Sequence, residues 1–374
     1  MQRWRLPISY LAHSARPSWL AQHFLAAWHV VILIVSWYPF SGWRHAGDSL
    51  FAFYAYPLPY YQTVFDNAIN IVAYLPLGYA WAVTFRCRWH APMLALILAV
   101  LLSALVEFVQ QFLPDRVASN LDILCNGLGA LAGAVVACAL DRLLIVRRWL
   151  VFRQSWLAKG GLTDFGLVVL GLWLISQLNP AIPLFGVVFE PQGIPQPFVS
   201  PIANARLFLR LLECGGVLLN FTAVGLMVAT LLARRSHAAF AMLAVALLAI
   251  LLKVVFAGAM LKRDALMAWM NVDVLLGMAG GWLLLELLAP LKRRWRALCG
   301  LLCLLLAEGV EMAWPLNAEP TGLFALFRWH HGHLRNFSGL AQTISLFWPW
   351  LAAAYLLLLI RKDWGRDRRR VVLD

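Results

Sequence analysis

Residues 91–113 read APMLALILAVLLSALVEFVQQFL. The run matches the roughly 20 residues that an α-helix, rising 1.5 Å per residue, needs to cross the hydrocarbon of a bilayer. It is too long and too uninterrupted for a strand. Near its carboxyl end it places Ser103, Glu107, Gln110 and Gln111. Their separations of three and four residues put a hydroxyl, a carboxylate and two amides on one helical stripe. An ionisable side chain inside a membrane costs about 2.5–3.5 kcal/mol on insertion scales, so this stripe is expected to face protein and not lipid.

Similar stretches recur outward from this one in both directions. The expected spans are 24–41, 66–86, 91–113, 121–143, 162–180, 207–232, 238–260, 266–289, 297–316 and 339–360. The composition agrees, because 62% of the 374 residues are hydrophobic and only 13% are charged. A soluble chain of this length needs far more charge to coat its surface. The fold class is therefore all-α, a polytopic integral membrane protein of about ten transmembrane helices. A soluble enzyme or soluble binding domain is excluded.

The net charge of +13 does not point to nucleic acid, because the cations sit between apolar runs. They form short clusters such as Arg86-Cys87-Arg88, Arg147-Arg148, Arg234-Arg235, Lys292-Arg293-Arg294 and Arg368-Arg369-Arg370. Those clusters fall in alternate loops, as in helices oriented by the positive-inside tendency. Both termini are expected on the cytoplasmic side. Arg3, Arg5 and Arg16 precede the first span and no small-x-small cleavage site follows it, so that span is read as retained. The six cysteines give neither a disulfide framework nor zinc spacing.

The loops divide the chain into a basic amino terminus (1–23), a four-helix unit (24–146), a linker (147–161), a second four-helix unit (162–290) and two further helices (291–374). The last part includes an outer loop (317–338) and a basic tail. A weak internal parallel repeat relates the two units. Asn70 corresponds to Asn220 in it, and Asp122 with Gly129 and Gly133 corresponds to Asp273 with Gly277 and Gly281.

The first unit concentrates polar residues. Asn67, Asn70 and Tyr74 share a face of the second span, and Asp122 and Asn126 open the fourth. The second and fourth spans enter from the outer side while the third leaves toward it. Asn67, Asn70, Ser103, Glu107, Gln110, Arg116, Asp122 and Asn126 are therefore expected to converge in the outer half of the membrane as a ligand-binding site. A helix-pinning role for the same residues stands beside that reading. Gly129 and Gly133, one turn apart, let helices approach closely.

Asn70 with Pro76-Leu77-Gly78, then Ser103, Glu107, Gln110, Arg116, Asp122, Asn126, Gly129 and Gly133 resemble the VanZ-like family over roughly residues 24–146. The resemblance implies cell-envelope biology in a bacterial cytoplasmic membrane. It also implies a link to glycopeptide resistance, and it carries no settled biochemical activity with it.

The second half offers secondary candidates. Lys253 and Asp273 fit an intramembrane pair serving a proton or substrate path. Glu308 and Glu311 lie one turn apart, and neighbouring carboxylates can share a proton. His330, His331, His333 and Arg335 sit in the outer loop, where they fit contact with an anionic head group or a loop anchored at the interface. No phosphate-cradling glycine loop, nucleophile elbow or HExxH helix is present, and no cofactor or resident metal is expected.

Three readings follow. The first is an envelope protein that binds or handles the head group of a lipid or lipid-linked glycan at the outer leaflet. Its partners are membrane lipids or a lipid-linked envelope precursor. The second is a proton-coupled transporter, and the third is a membrane-embedded enzyme of envelope biogenesis.

Overall fold

Each of the ten apolar stretches coincides with one α-helix. The computed structural model describes residues 19–38, 40–44, 50–55, 57, 64–114, 116–141, 152–153, 155–178, 184–185, 200–260, 269–314 and 333–371. Among these, α1 is Leu20–Trp37, α2 Val64–Thr84, α3 Ala91–Gln110, α4 Asn120–Asp141 and α5 Gly161–Ser176. Then come α6 Ala205–Leu231, α7 Ala238–Met260, α8 Val272–Leu288, α9 Arg293–Ala313 and α10 His333–Val371. Short 3-10 turns occupy Ala52–Ala55 and Arg235–His237, and no strand is found among the described residues beyond an isolated bridge between Leu157 and Leu232.

The sorting of residues on α3 is the reverse of that in a soluble protein. Ala91, Ala95, Ala99, Ser103, Val106, Glu107 and Gln110 are buried, while Met93, Ile97, Leu101 and Leu105 face outward. The same holds on α7, where Met242, Ala246, Ala249, Lys253 and Ala257 point inward and Phe240, Leu243, Leu247, Leu251 and Val255 point out. Lipid removes the penalty for exposing large apolar side chains, and small residues inside let helices pack closely. The protein is a multi-pass membrane protein.

Six helices are long and apolar enough to cross a bilayer: α1, α3, α4, α6, α7 and α10. The other four fall short of the sequence expectation for physical reasons. With 16 and 17 residues, α5 and α8 rise only about 24–26 Å, less than the roughly 30 Å of a hydrocarbon core. Polar residues open α2, and cations open α9.

The tightest contact joins α2 to α4. A Cβ added at Gly78 would lie 1.8 Å from the Ala130 carbonyl oxygen. At Gly133 it would lie 1.9 Å from that of Leu75, and at Gly129 2.2 Å from that of Ile71. Backbone therefore rests on backbone, and only glycine fits. In the second half α6 and α8 meet in the same way but less closely, Gly277 at 2.6 Å from the Cys214 oxygen and Gly281 at 3.0 Å from that of Leu218.

These contacts fix the register between the halves. Cys214 and Leu218 stand where Ile71 and Leu75 stand, so the counterpart of Asn70 is Glu213. The expected match of Asn70 with Asn220 is not the one the packing gives, because glycine contacts and not polar residues set the register. By the same rule Asp273 falls opposite Cys125, almost one turn from Asp122.

The largest core is built by α5 to α10 together, around Trp173, Phe185, Phe221, Met227, Tyr355 and their neighbours. Helix α1 stands at the seam. It packs on α2 and α3 on one side and on α5 and α10 on the other, with Val31 against Leu340 and Ile344. Buried Asp164 holds its start, accepting from the Trp19 backbone at 3.0 Å and pairing with Arg153.

Glycine-to-alanine substitutions read these contacts directly. Gly309 meets nothing within 4 Å, so Gly309→Ala should be neutral or gain up to about 1 kcal/mol of helix propensity. Gly281→Ala should cost on the order of 1–3 kcal/mol as ordinary overpacking. Gly133→Ala should cost more than either or prevent accumulation, since the obstructing atom is backbone. Equilibrium unfolding in detergent measures the order, and a Gly133→Ala protein as stable as Gly309→Ala would rule out the contact.

Candidate functional site

The parallel course of α2 and α4, with α3 returning between their ends, gathers the polar residues of the first four helices at one end of the bundle. Glu107, 2% exposed, accepts the Ser119 backbone N–H through Oε2 at 2.9 Å. Ser119 immediately precedes α4, so the carboxylate sits at a helix amino terminus, where the dipole favours negative charge. Arg116 and Asp122 both lie within electrostatic range of Glu107.

Gln110 and Arg116 have a different task. Helix α1 ends with backbone carbonyls that have no partner within the helix. Gln110 Nε2 donates to the Ser36 carbonyl at 3.1 Å and Arg116 Nη2 to that of Val35 at 2.7 Å. Both side chains thereby cap α1 and tie it to the α3–α4 turn.

Deeper in, Asn126 Nδ2 donates to Ser103 Oγ at 2.8 Å, both residues being buried. The Tyr74 hydroxyl stands beside Ser103, within electrostatic range of Glu107 and Asp122. Two polar atoms of this cluster, Asn67 Oδ1 and Asn126 Oδ1, are buried without a hydrogen-bond partner among the described residues. Asn70 is half-buried on α2, one turn beyond Asn67.

Sequence reasoning missed two contributors. The Tyr54 hydroxyl donates to the Ala104 carbonyl at 2.9 Å and lies within electrostatic range of Glu107. Tyr54 belongs to a short 3-10 turn, where no periodicity signals orientation. The part played by Ser119 is one of backbone only, so no side-chain pattern could have marked it.

Residues 13–144, which contain this entire arrangement, match the VanZ/LLP1 family. The chain carries a VanZ-like domain. No curated protein matches the chain, and no solved structure does. The VanZ-like domain spans α1 to α4, so the polar cluster lies inside the family match.

Outside the VanZ-like domain the secondary candidates are arranged differently from expectation. Asp273 does not pair with Lys253. It receives Arg210 in a two-pronged contact, Nε at 3.0 Å from Oδ2 and Nη2 at 2.9 Å from Oδ1. Because α6 and α8 start side by side and run parallel, Arg210 reaches Asp273 across their first turns, and its planar fork matches the carboxylate. Lys253 is fully buried and lies 3.5 Å from Gln177 Oε1. Glu213 accepts from Asn271 Nδ2 at 2.6 Å, and Asn271 Oδ1 caps α8 by accepting the Val274 N–H at 2.8 Å.

Glu308 and Glu311 are half-buried and within electrostatic range of each other. His330 and His331 lie outside the described residues, as do the side chains of His333 and Arg335. Among the described residues no group of three or more His, Cys, Asp or Glu side chains is placed to hold a metal ion.

The Ser103–Asn126 contact can be tested by a double-mutant cycle. Ser103→Ala leaves the Asn126 amide buried with neither end paired, which should cost about 1–3 kcal/mol. Once Asn126→Leu has removed the amide, Ser103→Ala should cost markedly less. Additive losses in detergent unfolding experiments would show that the two side chains do not interact.

Proposed function

We propose that this VanZ-like protein binds or handles the head group of a lipid or lipid-linked glycan through the cluster at the end of α2, α3 and α4. One observation carries the reading: Asn67 Oδ1 and Asn126 Oδ1 are buried and have no hydrogen-bond partner among the described residues. Each such atom costs free energy when left alone. Both are pure acceptors. The chemistry that satisfies them is a donor-rich group, such as the hydroxyls of a sugar or of glycerol. Half-buried Asn70 supplies a further donor at the same end.

In this reading the protein crosses a bacterial cytoplasmic membrane with ten helices and both termini in the cytoplasm, which puts the cluster in the outer leaflet. The alternation of basic loops supports that orientation. The short α5 and α8 then lie tilted little or where the bilayer thins. The substrate class is an envelope lipid or its glycan-linked precursor.

Orientation is tested with cysteines placed at Gln2 and Asn317 in a cysteine-free background. In intact spheroplasts a membrane-impermeant thiol reagent should label position 317 and leave position 2 unlabelled; the opposite result inverts the topology and the leaflet.

Ligand binding is tested with Asn67→Leu and Asn126→Leu, which remove the open acceptors while keeping comparable volume. Both variants should accumulate normally, and the lipid or glycolipid that co-purifies with the wild-type protein, identified by mass spectrometry, should fall by several-fold. An unchanged complement of bound lipid in two well-folded variants would leave the cluster as a helix pin only.

A further inference from the structure

Helix α9 begins Lys292-Arg293-Arg294-Trp295-Arg296 and has no acidic residue in its first turn. Cations at a helix amino terminus oppose the positive end of the dipole. The positive-inside tendency accounts for cations near this end of the bundle, but it gives no reason to bury them. Arg296 is nevertheless only 7% exposed.

The partners of these arginines are backbone carbonyls. Arg296 Nη1 donates to the Ala229 oxygen at 2.6 Å and Arg293 Nε to that of Thr230 at 2.9 Å. Both carbonyls belong to the last turn of α6 and lack a donor within the helix. Arg235, in the turn that follows α6, donates to the Pro290 oxygen at 3.0 Å. Arg293 and Arg235 stand within electrostatic range of Arg296, so three guanidinium groups share this end of the bundle.

Carbonyls do not use up the donors. Arg296 Nε is buried with no acceptor among the described residues, while Arg293 also reaches the Tyr355 hydroxyl. Beside them Tyr355 and Thr230, each fully buried, share a hydrogen bond of 2.9 Å. Thr230 Oγ1 gives its own proton to the Met227 carbonyl at 2.6 Å, so Tyr355 donates to Thr230. The tyrosine oxygen can therefore accept from Arg293, and Asp363 lies within its electrostatic range. Neither ion pair found among the described residues involves Arg235, Arg293 or Arg296.

We infer that Arg235, Arg293 and Arg296, where α6 stops and α9 starts, form a binding site for a phosphate group, with Arg296 Nε as its inner donor. A phosphate supplies what the site lacks: negative charge at a helix amino terminus and several acceptor oxygens for convergent guanidinium forks. The group can be the phosphodiester of an anionic lipid in the leaflet at this end, or a phosphate free in solution. Basic pockets between transmembrane helices hold anionic lipid head groups by the same chemistry.

The test uses the full-length protein in detergent, stripped of lipid, with its thermal unfolding midpoint followed at constant ionic strength. Three probes are titrated: short-chain phosphatidylglycerol, short-chain phosphatidylcholine and inorganic phosphate. Phosphatidylglycerol should raise the midpoint saturably in the wild type and in Arg234→Gln, an exposed neighbour that controls for net charge. In Arg293→Gln and Arg296→Gln the half-saturating concentration should rise by about tenfold or more, the order expected for one lost charge-assisted hydrogen bond. If either glutamine variant fails to accumulate, Arg293→Lys replaces it. That variant keeps the charge but loses the planar fork, and should weaken the response in the same direction. Stabilisation by inorganic phosphate with the same dependence on Arg293 and Arg296 identifies a soluble phosphate as sufficient, whereas a response to phosphatidylglycerol alone identifies a lipid head group. An unchanged response in the Arg293 and Arg296 variants, an equal loss in Arg234→Gln, or an equal response to phosphatidylcholine would overturn the site.

Discussion

The contact of α2 with α4 through Gly78, Gly129 and Gly133 is the constraint on which the first half of the molecule depends. Lipid offers no hydrophobic drive to bring two apolar helices together, so association relies on close van der Waals packing and on weak Cα–H···O contacts. Glycines facing the carbonyls of Ile71, Leu75 and Ala130 supply both. Ordinary helix packing leaves 8–10 Å between axes. A side chain at any of the three glycines would push the axes apart and withdraw Asn126 from the neighbourhood of Tyr74 and Ser103. The polar cluster therefore depends on residues that have no polar side chain of their own.

Much of this was legible in the sequence, for reasons that can be named. Apolar runs locate helices in a membrane protein because backbone groups must be satisfied within each segment. The spacing of Ser103, Glu107 and Gln110 placed them on one stripe, and they are buried together on α3. Gly129 and Gly133 announced close approach. What remained hidden depended on how elements turn toward each other. The role of Arg116 as a cap on α1 rests on the path of an aperiodic loop. The pairing of Asp273 with Arg210, in place of Lys253, depends on which way α7 faces, and a helix apolar all round gives no periodic signal for that. The match of Asn70 to Asn220 failed because polar identity was read where glycine contacts set the register.

The polar residues of the VanZ-like domain fall into two groups by what they bond. Glu107, Gln110 and Arg116 are spent on backbone groups at helix ends, and those bonds order the turn between α3 and α4 against α1. Interhelical hydrogen bonds average only about 0.6 kcal/mol in membranes, so this group explains how the end of the bundle is held and little of its stability. Asn67 and Asn126 keep buried oxygens that nothing among the described residues satisfies. Each such atom costs free energy that a purely structural pin would not recover.

The second half supplies the control for that distinction. It repeats the same closure, with α6 and α8 parallel and glycines at the contact, and it also carries polar residues at the start of both helices. There, however, Arg210 engages both oxygens of Asp273. Glu213 takes the amide of Asn271, and Asn271 turns its own oxygen to the α8 amino terminus. Those groups are consumed by one another, as in a structural staple. Two units that close by the same backbone contact thus differ in whether the polar residues at that end satisfy one another, a difference of bonding and not of the mere presence of charge in the membrane.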